Sequence, residues 1–280
     1  YAKYKTYTLN DAVIKGRGSL DSITLTTDIS SFELSDSLMF PQIHLSVKAA
    51  NDHSIVSLKT NTGNTFNEAN INADVYTLSD GVRIHFNPSS FILNEKNWSL
   101  EKQGEVVIRK NFVSTQNVKF SQGFQEIVVE TEEEDGGNVN NLIVKLKDIV
   151  LGDITALIMK NPKLEGLLNG SIYLRDFFGK FNIETNLKAT QFFYNNDSVG
   201  VVNITGGYNS KSGKVTFKGT APNKDYKFDF DGSYNTKDSA TTPLAVTINL
   251  DNSKITIVQE FLEGIFSNVK GYATGKLSIS

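Results

Sequence analysis

The chain has 280 residues, 39% hydrophobic and 21% charged, with a net charge of −3. This composition belongs to a folded protein, and with lysine and arginine scattered it offers no footprint for nucleic acid. Cysteine is absent, which excludes disulfides and thiolate metal sites, and no apolar run reaches the roughly 18 residues that a membrane-spanning helix needs.

Taken in order, the chain reads as strand after strand. Tyr7 and Leu9 already alternate with polar neighbours, and Ile23 and Leu25 alternate with Thr24 and Thr26. Ile43, Leu45 and Val47 do so with His44 and Ser46, and Ile71, Ala73 and Val75 with Asn72 and Asp74. A period of two places one set of side chains on one face of a sheet. Ser79-Asp80-Gly81 is a tight-turn signal, after which Val82, Ile84 and Phe86 resume the alternation. Phe91, Leu93, Trp98 and Leu100 frame a short strand and turn. Val106, Ile108, Val118, Phe120, Ile127 and Val129 carry the pattern to an acidic run from Glu130 to Asp135.

A different unit follows over residues 142–174. Leu142, Val144 and Leu146 alternate with Ile143, Lys145 and Lys147 as a strand. Asp153 caps a helix with Ile154, Leu157 and Ile158 on one stripe, and Pro162 stops it. Gly166 and Gly170 lead back into strand at Ile172 and Leu174. Phe181, Ile183 and Leu187 come next, then Val202, Ile204 and Tyr208, Val215 and Phe217, and Tyr226, Phe228 and Phe230. Turns are expected at 209–213 and 221–225.

Near the end the unit returns. Leu244, Val246, Ile248 and Leu250 alternate, and Thr256 and Gln259 make a capping-box pair. Ile257, Val258, Phe261, Leu262, Ile265 and Phe266 form the apolar face of a second helix, after which Gly271 and Gly275 lead into Leu277 and Ile279. Leu146 matches Leu250 and Leu157 matches Phe261 at an offset of 104, and Gly170 matches Gly275 at 105. Two internal repeat units, about 142–176 and 244–280, are therefore expected, in a quasi-linear stack of like units. Because both ends read as strand, residues 1–280 are taken as one elongated segment of a longer polypeptide.

The whole is expected to be all-β and mainly antiparallel, with about 18 to 20 strands of about 5 to 8 residues and two short amphipathic helices. Strands that are apolar on one side must have that side covered, and two short helices cannot cover some twenty strands. Either the sheet closes on itself as a sandwich or barrel, or it curls into a half-pipe whose apolar wall is covered by a ligand. Periodicity leaves both open. In the half-pipe the wall is the apolar phase: Val144, Leu146, Ile172, Leu174, Phe181, Ile183, Leu187, Val202, Ile204, Val215, Phe217, Tyr226, Phe228, Phe230, Val246 and Ile248.

The repeat unit resembles one known from the TamB and AsmA-like envelope proteins. Strand, amphipathic helix, then the stretch from Leu164 to Leu174 with Gly166 and Gly170 is similar to their recurring strand, helix and glycine-spaced strand, and the stretch from Val269 to Ile279 repeats it. The segment from Phe91 to Leu100, with Trp98 ahead of Gly104 and Val106 to Ile108, is similar to another part of TamB. The resemblance covers roughly Phe32 to Ser280. It implies a repeating β-groove, polar outside and apolar inside, that holds phospholipid acyl chains. It also implies the periplasm of a diderm bacterium, an inner-membrane anchor outside this segment, a role in phospholipid transport and outer-membrane biogenesis, and an Omp85-type partner. A buried methylene is worth roughly 0.8 kcal/mol, so a 16-carbon chain would gain on the order of 10 kcal/mol in such a trough. Twenty strands at about 4.8 Å would make a rod of at most roughly 100 Å.

No catalytic, metal or cofactor site is expected. His44 and His85 fall on the polar phase of their strands and His53 follows Asn51-Asp52 in a turn, so all three read as surface residues. Glu132-Glu-Glu-Asp-Gly-Gly-Asn lacks the spacing of a calcium loop, and Gly16-Arg17-Gly18 and Gly206-Gly207 lack the helix-opening context of a phosphate loop. The reading from another class is a secreted or surface β-rich adhesin or carbohydrate-binding module with a closed core.

Overall fold

The computed structural model describes residues 2–4, 7–35, 38–60, 66–101, 103–132, 140–158, 163–236, 244–259 and 269–279. These form a nearly all-β, antiparallel fold that is open, with no ladder among the described residues closing it into a barrel. Contacts divide it into two compact units, residues 1–143 with 153–160, and residues 144–152 with 161–280.

The first unit is a meander. It runs through β1 (Ala2–Tyr4), β2 (Tyr7–Gly18), β3 (Ser22–Ser35), β4 (Leu38–Ala50), β5 (His53–Thr60) and β6 (Phe66–Leu78), each paired with the next. β7 (Gly81–Phe86) and β8 (Ser89–Leu93) then both pair with β6, as two halves of one return path broken at Asn87-Pro88. The next pass repeats this, with β9 (Lys96–Leu100) on β8 and β10 (Glu105–Arg109) on β7. β11 (Phe112–Gln116) pairs with β10 and β12 (Val118–Gln122) with β9, and β13 (Gln125–Glu132) completes the series against β12.

The breaks line up. The Phe86 amide donates to the Gly104 carbonyl at 2.8 Å, and Asn117 between β11 and β12 takes φ 53. Trp98, Leu100, Val113 and Val118 are buried in this part of the unit, with the Trp98 ring stacked on Phe91 at 5.9 Å. Asn51-Asp52 and Asn94-Glu95 both adopt left-handed φ, which suits two-residue hairpins whose twist matches that of the strands.

β14 (Asn141–Val150) and α1 (Leu151–Ile158) follow. Asp153 was expected to cap this helix and instead lies inside its first turn, buried. It receives the Lys96 ammonium at 2.6 Å and the Asn94 amide at 2.7 Å, and so ties α1 to the β8–β9 turn. Pro162, expected to stop the helix, lies outside the described residues.

The second unit continues as β15 (Leu164–Arg175), β16 (Asn182–Tyr194), β17 (Asp197–Asn209), β18 (Lys214–Pro222), β19 (Lys227–Asn235), β20 (Leu244–Lys254) and β21 (Tyr272–Ile279), each from β16 on antiparallel to the strand before it. Several strands reach 12 to 14 residues, longer than the sequence led us to expect, and there are 21 among the described residues. The reason is local. Asp11, Gln42, Asp148, Gln191 and Asn252 take left-handed φ inside strands, so the backbone irregularity is absorbed within the strand and the strand goes on.

A second helix was expected after β20. The chain makes a 3₁₀ turn at Ile255–Val258, with Lys254 at its N-cap and no side-chain cap, and Gln259 after it is helical; the Thr256 hydroxyl, expected in a capping box, is 3.0 Å from the Tyr226 hydroxyl. Phe261, Leu262, Ile265 and Phe266 lie outside the described residues.

β14 and β20 share a backbone device. Asp148 and Asn252, 104 residues apart, take φ 50 and 48. The Asp148 amide donates to Asn169 Oδ1 at 2.9 Å and the Asn252 amide to Thr274 Oγ1 at 2.9 Å. Glycines of positive φ flank the acceptors, Gly166 and Gly170 in one case and Gly271 and Gly275 in the other. A bulge frees an amide from the ladder, and the facing side chain satisfies it.

Candidate functional site

Register in β15–β21 sorts the two faces cleanly. Leu174 faces Ile183, Ile183 faces Tyr208, Tyr208 faces Val215, Val215 faces Tyr234, and Tyr234 faces Leu244. One step along the strands, Ile172, Thr185, Gly206, Phe217, Gly232, Val246 and Ile279 form the next row. After it come Gly170, Leu187, Ile204, Gly219, Phe230, Ile248 and Leu277. The last row holds Leu168, Ala189, Val202, Ala221, Phe228 and Leu250. The alternate residues make the other face, with Glu184, Asn186 and Lys188 on β16, Lys214, Thr216 and Lys218 on β18, and Asp229 and Asp231 on β19, all exposed.

Burial changes along the apolar face. The row from Leu168 to Leu250 is sealed, each of its six residues being at most 9% exposed. Leu187, Ile204, Phe230, Ile172, Phe217 and Val246 are half-buried, as are Leu174, Ile183, Tyr208 and Val215. Tyr234 and Leu244 are exposed. The face is thus closed at one end of the strands and increasingly open toward the other. Seven strands spaced by about 4.8 Å, and six residues rising about 3.3 Å each between the first and last rows, give a surface of roughly 30 by 20 Å.

Its floor is kept low by glycine. A Cβ on Gly219 would collide with the Phe230 ring and one on Gly232 with the Phe217 ring, so each ring lies over the bare backbone of the neighbouring strand. The Phe217 and Phe230 rings are 6.4 Å apart, as are those of Phe228 and Phe230. Aromatic rings lying over strand glycines make a smooth apolar floor.

Most of the residues expected in the wall lie on this face: Ile172, Leu174, Ile183, Leu187, Ile204, Val215, Phe217, Phe230 and Val246 are half-buried, whereas Val202, Phe228 and Ile248, also expected there, are at most 9% exposed and belong to its sealed part. Val144 and Leu146 are half-buried on β14, on the face opposite Lys145 and Lys147. Two differ. Phe181 precedes β16 and meets Phe177 edge-on at 5.4 Å. Tyr226 precedes β19 and is 1% exposed, so it seals the closed end and does not line an open wall. Its ring carries Lys254 Nζ at 5.5 Å, and Lys254 is bound to Asp225 at 3.0 Å; burial pushes the Tyr226 hydroxyl pKa up. Buried Ile257 and Val258 belong to the 3₁₀ turn that follows β20.

The sequence reading missed Leu168, Ala189 and Ala221 in the sealed row, and the glycines; Leu250 it placed on the apolar phase of its strand but not in the wall. The spacing Phe217-x-Gly219 and Phe230-x-Gly232 was the available signal for the latter.

Two of the three histidines, His44 and His53, each meet one carboxylate, and His85 is half-buried on β7. His44 Nδ1 is 2.6 Å from Asp28, among exposed side chains. His53 opens β5, where a turn was expected, stacked on Tyr76 with ring centroids 4.7 Å apart and with Nε2 2.6 Å from Asp74. Asn87 donates to the other Asp74 oxygen at 2.7 Å. The Asn87 amide, followed by His53, holds the Asp74 carboxyl below its ordinary pKa. A carboxyl depressed by folding adds stability above its unfolded pKa and loses it as pH falls through the lower, folded value. Asn87→Ala should therefore lower stability to urea at neutral pH and flatten its decline below about pH 4, the ordinary carboxylate range. No group of three or more metal-ligating side chains is found among the described residues.

Comparison with known protein families, curated proteins and solved structures returns no match.

Proposed function

We propose that the apolar face of β15–β21 is a trough for phospholipid acyl chains and that the protein works as a non-enzymatic lipid conduit. One observation carries this reading: a continuous apolar face, polar on its reverse, is sealed along one row and at Ile248 in the next, and is otherwise largely half-buried, opening toward Tyr234 and Leu244. Burying a half-exposed apolar wall is favourable by about 25 cal/mol for each Å² removed from water. A hydrocarbon chain is the simplest ligand able to use such a surface, since the wall offers it rings, branched aliphatics and bare glycine.

The resemblance of the strand, helix and glycine-spaced strand to TamB and AsmA-like proteins supports the same reading. It adds phospholipid transport toward the outer membrane, work in the periplasm of a diderm bacterium, an inner-membrane anchor and an Omp85-type partner as parts of the proposal. The test is solvent extraction of protein purified without detergent, followed by mass spectrometry of the extract. Phospholipid is expected in it, and folded protein that is free of lipid would count against the proposal.

A further inference from the structure

We infer that the open end of β15–β21 is a docking surface for an anionic lipid bilayer. The turn between β15 and β16 carries two adjacent phenylalanines, Phe177 and Phe178, exposed by 37% and 43%. Turns favour glycine, asparagine, aspartate, proline and serine for conformational reasons, and this fold gains no core from two exposed rings. Phe177 is held edge-on against Phe181 at 5.4 Å, so the aromatics form a small rigid group. Tyr234 and Leu244, paired across strands at the same end, extend the apolar rim with exposures of 46% and 42%.

The charges beside the rim point to the occupant. Arg175, Lys180, Lys211 and Lys214 stand at these strand ends with Asp176 and Glu184, a local excess of two positive charges in a chain whose net charge is −3. Aromatic rings suit the headgroup boundary of a bilayer, and lysine stems allow ammonium groups to reach anionic headgroups above it. A rim in that position would bring the trough's mouth to the surface from which lipid enters. This last point rests on the trough reading; docking itself does not.

The experiment is flotation of the whole chain with vesicles of equal parts phosphatidylcholine and phosphatidylglycerol. The wild-type chain should float with them. Burial of a phenylalanine is worth about 1.5 to 3 kcal/mol, so Phe177→Ser with Phe178→Ser should weaken partitioning by about a hundredfold or more, while Leu at both positions should retain most of it. Lys180→Glu with Lys211→Glu, which leaves the aromatics in place, should weaken flotation severalfold on these vesicles and leave it unchanged on phosphatidylcholine alone. The inference is overturned if the wild-type chain does not float, or if both double variants float as it does. Lipid extraction from the same samples keeps the two readings apart, because rim variants should lose flotation and keep their acyl load.

Discussion

Lys96→Met should lower the thermal midpoint by roughly 10 °C. The Asp153 carboxylate is nearly fully buried, and its Oδ2 has the Lys96 ammonium at 2.6 Å, while the neutral Asn94 amide donates to Oδ1 at 2.7 Å and stays when that ammonium is gone. Breaking a buried pair by removing one partner costs about 3 to 5 kcal/mol, because the remaining charge stays desolvated. Lys96 is about one-third exposed, which places the expected loss near the lower bound, about 3 kcal/mol, and 1 kcal/mol moves the midpoint by about 2 to 4 °C in a domain of this size. The double variant Lys96→Met with Asp153→Leu should recover most of the loss, since an apolar pair of similar volume replaces the ions. Calorimetry of the three proteins decides the matter. A single variant as stable as the wild type would show that the pair does not hold α1 to the β8–β9 turn.

Val215→Asp should fold and lose its lipid, whereas Phe228→Asp should not fold. Val215 is half-buried between Tyr208 and Tyr234, where water can reach a carboxylate in the empty trough but an acyl chain could lie against it only by desolvating that charge. Phe228 stands in the sealed row against Ala221 and Leu250, where a charge has no water and no partner. Burial of an unpaired carboxylate costs several kcal/mol, a large fraction of the whole stability of a domain. Circular dichroism separates the two variants by folding, and lipid extraction should show a severalfold smaller load in Val215→Asp. Equal folding of both, or a full lipid load in Val215→Asp, would be inconsistent with a face graded from sealed to open.

The period of two was enough to place the apolar residues of β16, β18 and β19 on one face, because a side chain's face on a strand depends only on its parity. Parity is lost at bulges, and the register shifts at Gln191 and Asn252, both of positive φ inside their strands, are not marked by the alternation. The role of Asp153 was not legible at all: its partners are 57 and 59 residues away, and nothing in the local pattern distinguishes a buried ion-pair partner from a helix cap. The same holds for Tyr226, whose aromatic phase looks like wall. It proves to be buried, with its hydroxyl 3.0 Å from that of Thr256, 30 residues later, and Lys254 over its ring. How far an apolar face is covered depends on residues distant in sequence, whereas the face itself is a local property.

The most direct measurement of the trough is photo-crosslinking from neighbouring positions that point to opposite faces. A photoreactive phenylalanine at Phe217, on the half-open apolar face, should capture phospholipid, and the same group at exposed Thr216, one residue away on the polar face, should capture none. Equal capture at the two positions, or none at Phe217, would contradict an acyl chain lying along this wall.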